Sequence, residues 1–146
     1  MLSRLGERRK VVEELGYLKK TVNPDHIWFA DDIFGLKPGW IAEFDDVVNK
    51  ENAKIRFKCL SRADLLLKED NIRHLKNSGC QTVWIGAESG SQKVLDAMEK
   101  GTTIEQIYQS TELLHKTDIR VGFFLQFGYP GETRADIQST LQMVKD

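Results

Sequence analysis

The chain has 146 residues, of which 40% are apolar and 29% charged, and a formal net charge of −1. That length can close one hydrophobic core without staples, and the near-neutral balance lacks the basic footprint of a nucleic-acid-binding domain. No apolar run approaches the roughly 18 residues of a membrane span, and "MLSRLGERRK" lacks the apolar block of a secretory signal, so a cytoplasmic protein is expected.

Val11, Val12, Leu15 and Leu18 recur at helical spacing, which predicts an amphipathic helix over residues 4–20. "HIWFADD" reads as a short buried strand ending in Asp31 and Asp32. Trp40, Ile41, Phe44, Val47 and Val48 mark a helix with Pro38 suited to its first turn. "KIRFKCLSR" is the next strand, followed by a helix around Glu69–Ser78 that Gly79 stops as a left-handed cap.

"TVWIGA" is the third strand, and Val94, Leu95 and Met98 give a helix ending at Gly101. Ser89 or Ser91 fits the cap of that helix. Thr102 with Glu105, or Thr103 with Gln106, forms a capping-box pattern opening another helix. "RVGFFLQF" is the fourth strand, "GYPGE" a turn, and Thr133 caps a last helix carrying Ile137, Leu141 and Val144.

The expected order is therefore αβαβαβααβα over one unit, residues 1–146. The strands are continuous apolar runs, as in a parallel sheet covered by helices. Four such strands make either half of a (β/α) barrel or a small doubly wound sheet. In both, ligands bind beyond the carboxyl ends of the strands.

Those ends are Ala30-Asp31-Asp32, Leu60-Ser61-Arg62-Ala63-Asp64, Gly86-Ala87-Glu88-Ser89-Gly90, and Phe127-Gly128-Tyr129-Pro130-Gly131-Glu132. Polar residues and glycines concentrate there, which favours a site. Asp31 and Asp32 either cap a loop or bind a cation. Arg62 either pairs with Asp64 or clamps a carboxylate or ribose with its planar fork. Lys100 fits a helix C-terminus by its charge alone. His26, His74 and His115 read as structural, and Trp28, Trp40 and Trp84 as core packing. Cys59 and Cys80 read as buried thiols in no metal-ligand spacing, so no metal ligand is expected in the chain.

Taken together, "FADDIF", "CLSRADLL", "GCQTVWIGAESGSQKVLDAMEKGTT" and "FLQFGYPGETRADIQSTL" resemble the radical S-adenosylmethionine superfamily. The branch most similar is that of cobalamin-associated oxidative cyclases and methyltransferases, related to the methylthiotransferases. The resemblance implies a partial (β/α) barrel core. It also implies an S-adenosylmethionine cofactor beside a [4Fe–4S] cluster, from which a 5′-deoxyadenosyl radical is made. The family's cluster loop, CxxxCxxC after the first strand, has no match here. The four strands correspond to the family's second to fifth, so the first and sixth strands are expected to be missing and the isolated chain to be inactive.

By position, the resemblance assigns cofactor contacts to nine residues. Asp31 and Asp32 fall on the segment facing the methionyl amine, where the family often has Gly-Gly-Glu. Arg62 falls near cofactor or substrate, Glu88 and Ser89 beside the methionyl or ribose part, and Lys100 beside the methionyl carboxylate. Phe127, Gly128 and Tyr129 fall along the adenine. Cobalamin is implied through a separate domain, and a small-molecule substrate as partner. An unpaired barrel edge leaves a homodimer open. Two other readings stand beside this one: a doubly wound receiver-like regulatory domain, and a non-catalytic half-barrel scaffold.

Overall fold

The computed structural model describes residues 4–146, with side chains from residue 9 onward. The elements are α1 (Arg4–Thr21), β1 (Ile27–Trp28), α2 (Trp40–Lys50), β2 (Phe57–Ser61), α3 (Ala63–Leu66), α4 (Asn71–Ser78), β3 (Cys80–Glu88), α5 (Gln92–Ala97), α6 (Ile104–Lys116), β4 (Arg120–Leu125) and α7 (Arg134–Lys145). This is the expected order with one addition, the single-turn α3, which four residues of sequence cannot signal by periodicity.

All neighbouring strands are parallel, and they lie in the order β1-β2-β3-β4. The sequential order decides between the two architectures. A doubly wound sheet reverses its strand order at a switch point, whereas a barrel adds each strand beside the last. The sheet is a barrel arc, and the receiver-like reading falls with it.

Residue parity shows which face the helices cover. Phe57 and Cys59 of β2 and Val83, Ile85 and Ala87 of β3 are buried. They join Val12, Leu15, Phe44, Val48, Leu75, Leu95, Ile107 and Leu114 from the helices in one core. The alternate residues Lys58, Leu60, Trp84, Gly86 and Phe124 point to the other face and are half-buried or exposed. The helices therefore form one outer layer, and the inner face stays open. No helix among the described residues is long and apolar enough to cross a membrane.

The tryptophans divide accordingly. Trp40 packs as expected, stacked on Phe44 at 5.2 Å and edge-on to Phe34 at 4.9 Å. Trp28 and Trp84 do not belong to that core. Both sit on the inner face, Trp28 being 53% exposed and Trp84 half-buried.

Local signals in the sequence hold at most helix ends. Gly79 caps α4 with φ 110°, and Thr103–Gln106 and Thr133–Asp136 form complete capping boxes on α6 and α7. Pro38 lies just before α2, whose N-cap is Gly39, instead of in its first turn. The α5 helix is shorter than expected, ending at Ala97 with Met98 as cap, and Gly101 follows at φ 64° in the irregular stretch before α6. Ser91 occupies its N-cap without a side-chain cap hydrogen bond, because its hydroxyl is used elsewhere.

Candidate functional site

The stretch Glu88-Ser89-Gly90-Ser91 joins two surfaces. At Gly86–Glu88 the register between β3 and β4 slips by one residue, and Glu88 is held at φ 60°, the left-handed region that non-glycine residues rarely adopt. This bulge leaves the Glu88 carboxylate at the mouth of the inner face, where Lys100 Nζ donates to its Oε1 at 2.9 Å. The Glu88 side chain is 16% exposed and that of Lys100 42%, so the pair sits at a rim.

Beyond Glu88 the chain turns outward. Ser89 is fully buried, its Oγ 3.2 Å from Thr140 Oγ1, and it accepts from Ser91 N at 3.1 Å. Gly90 N donates to Thr140 Oγ1 at 2.8 Å, and a Cβ on Gly90 would lie 2.5 Å from Ser139 O and 2.6 Å from Thr140 Cα. Only glycine lets the turn lie this close to α7. Ser91 Oγ donates to Asp136 Oδ1 at 2.6 Å, while Lys93 Nζ and Thr133 Oγ1 donate to Oδ2 at 2.9 and 2.7 Å. Led by Ser91, then Lys93 and Thr133, these bonds hold the Asp136 carboxyl well below the ordinary carboxylate range. The serines and glycine of this motif thus anchor a helix.

A cavity of about 300 Å³ opens at the carboxyl ends of the strands, lined by Asp32, Ile33, Leu60, Ser61, Arg62, Trp84, Gly86, Glu88, Lys100, Thr102 and Phe124. Larger depressions lie between α1 and α2 (about 680 Å³) and between α6, β4 and α7 (about 620 Å³). They are away from the strand ends, where a parallel barrel gathers its chemistry. Charge also converges at the strand-end cavity. Arg62 Nε donates to Asp64 Oδ1 at 2.9 Å and its Nη2 to Oδ2 at 3.3 Å, and Nη2 also reaches the Lys100 carbonyl at 3.4 Å. Arg62 is thus paired with Asp64 and also lines the cavity. Ser61 Oγ, buried at the end of β2, has no hydrogen-bond partner among the described residues.

Of the nine residues expected to meet a cofactor, the structure brings together Asp32, Arg62, Glu88 and Lys100. Asp31 is exposed in the loop after β1, off the cavity lining. Ser89 faces α7. Phe127 is 49% exposed, Gly128 N donates to Glu132 Oε2, and Tyr129 Oη donates to Ala97 O at 2.8 Å, which places these three in the loop beside the mouth. Sequence reasoning missed Trp84, Thr102 and Phe124, and gave Leu60 and Ser61, though within a strand end, no role of their own. The strand period would have placed Leu60, Trp84 and Phe124 together, but not on the open face.

Cys59 and Cys80 are fully buried on the outer, helix-covered face, opposite the cavity. Hydrogen bonding with Cys80, then burial, pushes the Cys59 thiol well above its ordinary value. They are poor thiolate ligands in a poor place, and no group of three His, Cys, Asp or Glu among the described residues could hold a metal ion. These residues do not fit an iron–sulfur cluster.

Comparison with known proteins agrees with this arrangement. The family model of the Radical SAM superfamily matches residues 3–144. The chain is 29% identical over 137 residues to an uncharacterized methyltransferase of Pyrococcus horikoshii, covering 93% of this chain and 29% of that protein. It is 26% identical to the anaerobic magnesium-protoporphyrin IX monomethyl ester cyclase of Rubrivivax gelatinosus, covering 98% of this chain and 26% of the other. Among solved structures, the radical S-adenosylmethionine methyltransferase TsrM of Kitasatospora setae superposes with a TM-score of 0.80 at 19% identity, covering 94% of this chain and 28% of TsrM. The cobalamin-dependent radical enzyme OxsB gives 0.75 at 24% identity, covering 97% and 22%. The chain spans between a fifth and a third of the length of these proteins. On the match across nearly its whole length, the chain belongs to the radical SAM superfamily.

Proposed function

We propose that residues 27–132 form the S-adenosylmethionine-binding wall of a radical SAM enzyme core. One observation carries the reading: the Glu88 carboxylate, projected from a left-handed backbone position, and the Lys100 ammonium meet 2.9 Å apart at the rim of a cavity at the strand ends. An adjacent carboxylate and ammonium match the charges of an amino acid's α-ammonium and α-carboxylate, and Arg62 beside them adds a planar fork of donors.

When bound beside a [4Fe–4S] cluster, S-adenosylmethionine supplies the 5′-deoxyadenosyl radical. Cys59 and Cys80, buried behind the sheet, do not fit as its ligands, so the thiolates of such a cluster would be other than these two. The role of this chain is to bind and orient the methionyl end through Glu88, Lys100 and Arg62, with Asp32 at the rim. Cobalamin, bound by OxsB and TsrM, would enter through a separate domain. The edge of β4 is unpaired among the described residues, which supports pairing with a second copy or a further strand.

Without iron to chelate the methionyl group, binding to this chain alone is expected to be weak, with Kd on the order of 1 mM, about 4 kcal/mol. Titration of S-adenosylmethionine by isothermal calorimetry tests the reading. Glu88→Gln and Lys100→Met should each weaken binding. Wild-type affinity in both variants would refute the assignment.

A further inference from the structure

The open inner face has its own chemistry below the Glu88–Lys100 rim. Strand register places Leu60, Trp84 and Gly122 in one row across β2, β3 and β4, and Lys58, Thr82 and Arg120 in the row beneath. The Trp84 indole lies over Gly122, where a Cβ would come within 2.6 Å of its Cε3. Phe124 flanks it, with ring centroids 5.1 Å apart and planes 31° from parallel. Any side chain at Gly122 would lift the indole, so the glycine gives a flat aromatic floor.

The lower row is cationic. Lys58 Nζ sits 4.1 Å from the Trp28 ring centroid, and Arg120 is exposed two strands away, about 10 Å across at ordinary strand spacing. Burial and then the fields of Lys58, Arg120 and Arg56 hold His26 below its ordinary value, which marks this end as electropositive. The acidic side chains of the cavity, Asp32 and Glu88, lie at the opposite end of the strands. Exposed aromatics are usually scattered singly over a surface, whereas here exposed Trp28 and Phe124 share one face with half-buried Trp84, graded from aromatic to basic.

From this juxtaposition we propose that the inner face seats a flat, conjugated, anionic small molecule, stacked on Trp84 and Phe124 with its anionic group towards Lys58 and Arg120. Resting on the reading above, this names the substrate class of the same site. An aromatic floor favours planar π systems over saturated rings of equal size. The cation row selects a carboxylate or phosphate over a neutral group, and adenine, being uncharged, gains nothing from that row.

The probe is 2-naphthoate, with naphthalene-2-methanol as the flat neutral control and decahydronaphthalene-2-carboxylate as the saturated anion of equal size, each titrated against the chain and read by saturation-transfer NMR and tryptophan fluorescence. Naphthoate should bind at least fivefold more tightly than either control. Trp84→Leu should weaken it about tenfold and Trp84→Phe much less, the latter guarding against a folding artefact. Lys58→Gln with Arg120→Gln should erase the preference for the anion while leaving S-adenosylmethionine affinity unchanged. No binding of naphthoate, equal binding of the three probes, or indifference to Trp84→Leu would overturn the proposal. Binding of naphthoate without S-adenosylmethionine would instead sink only the cofactor reading.

Discussion

The two faces of β3 are opposites in burial. Outward, Val83, Ile85 and Ala87 are fully buried under α-helices; inward, Trp84 and Glu88 are half-buried and Gly86 is exposed. One strand thus carries the fold on one side and the candidate chemistry on the other. The difference teaches that in an open barrel arc a substitution's effect depends on parity, with stability lost outward and ligand affinity lost inward.

The sharpest way to break this comparison is a matched pair of truncations. Ile85→Ala should cost about 2–5 kcal/mol by chemical denaturation, because a closed core cannot refill the void. Leu60→Ala, on the inner face of the neighbouring strand, should cost about 1 kcal/mol or less. Equal losses would mean that the inner face is packed too.

Next comes the outward turn of the cofactor motif. Gly90→Ala should destabilise the fold by about 1–3 kcal/mol, since its Cβ meets backbone atoms of α7 that must move. Denaturation midpoints check it, and wild-type stability would contradict the account of that turn. Inward, Glu88→Gln and Lys100→Met should each cost S-adenosylmethionine affinity about fivefold, near 1 kcal/mol, with unchanged denaturation midpoints.

The smallest effect concerns Asp136. Its folded carboxyl sits below the ordinary value near 3.8 because Ser91, Lys93 and Thr133 donate to it. A depressed folded value contributes stability that is full above the unfolded value and is lost as pH falls through the folded one. Stability should therefore decline below about pH 4, and Asp136→Asn should flatten that part of the curve. A pH series of urea melts reads the slope.

Much of this fold is legible in the sequence. Helical spacing locates α1, α2 and α7, a capping box opens α6, capping residues fix most helix ends, and four apolar runs give four strands. What periodicity could not supply is the sequential strand order, because order is set by crossovers and not by local pattern. The site divides the same way. Asp32, Arg62 and Glu88 were readable because they close strands or follow them, whereas Lys100, which follows α5, was reached through the motif resemblance. Ser89 was misleading, since its partner Thr140 lies 51 positions away and only tertiary structure brings α7 to it. Trp84 reads as core in an apolar run; that it faces an open arc follows from which side the helices take.

The central claim is that S-adenosylmethionine meets this chain at the strand-end cavity. Amide chemical-shift mapping of the isotope-labelled chain during cofactor titration tests it most directly. The account requires the largest shifts at Asp32, Ser61, Arg62, Gly86, Glu88 and Lys100. Shifts confined to the groove between α1 and α2, or no saturable shifts at millimolar cofactor, would contradict it.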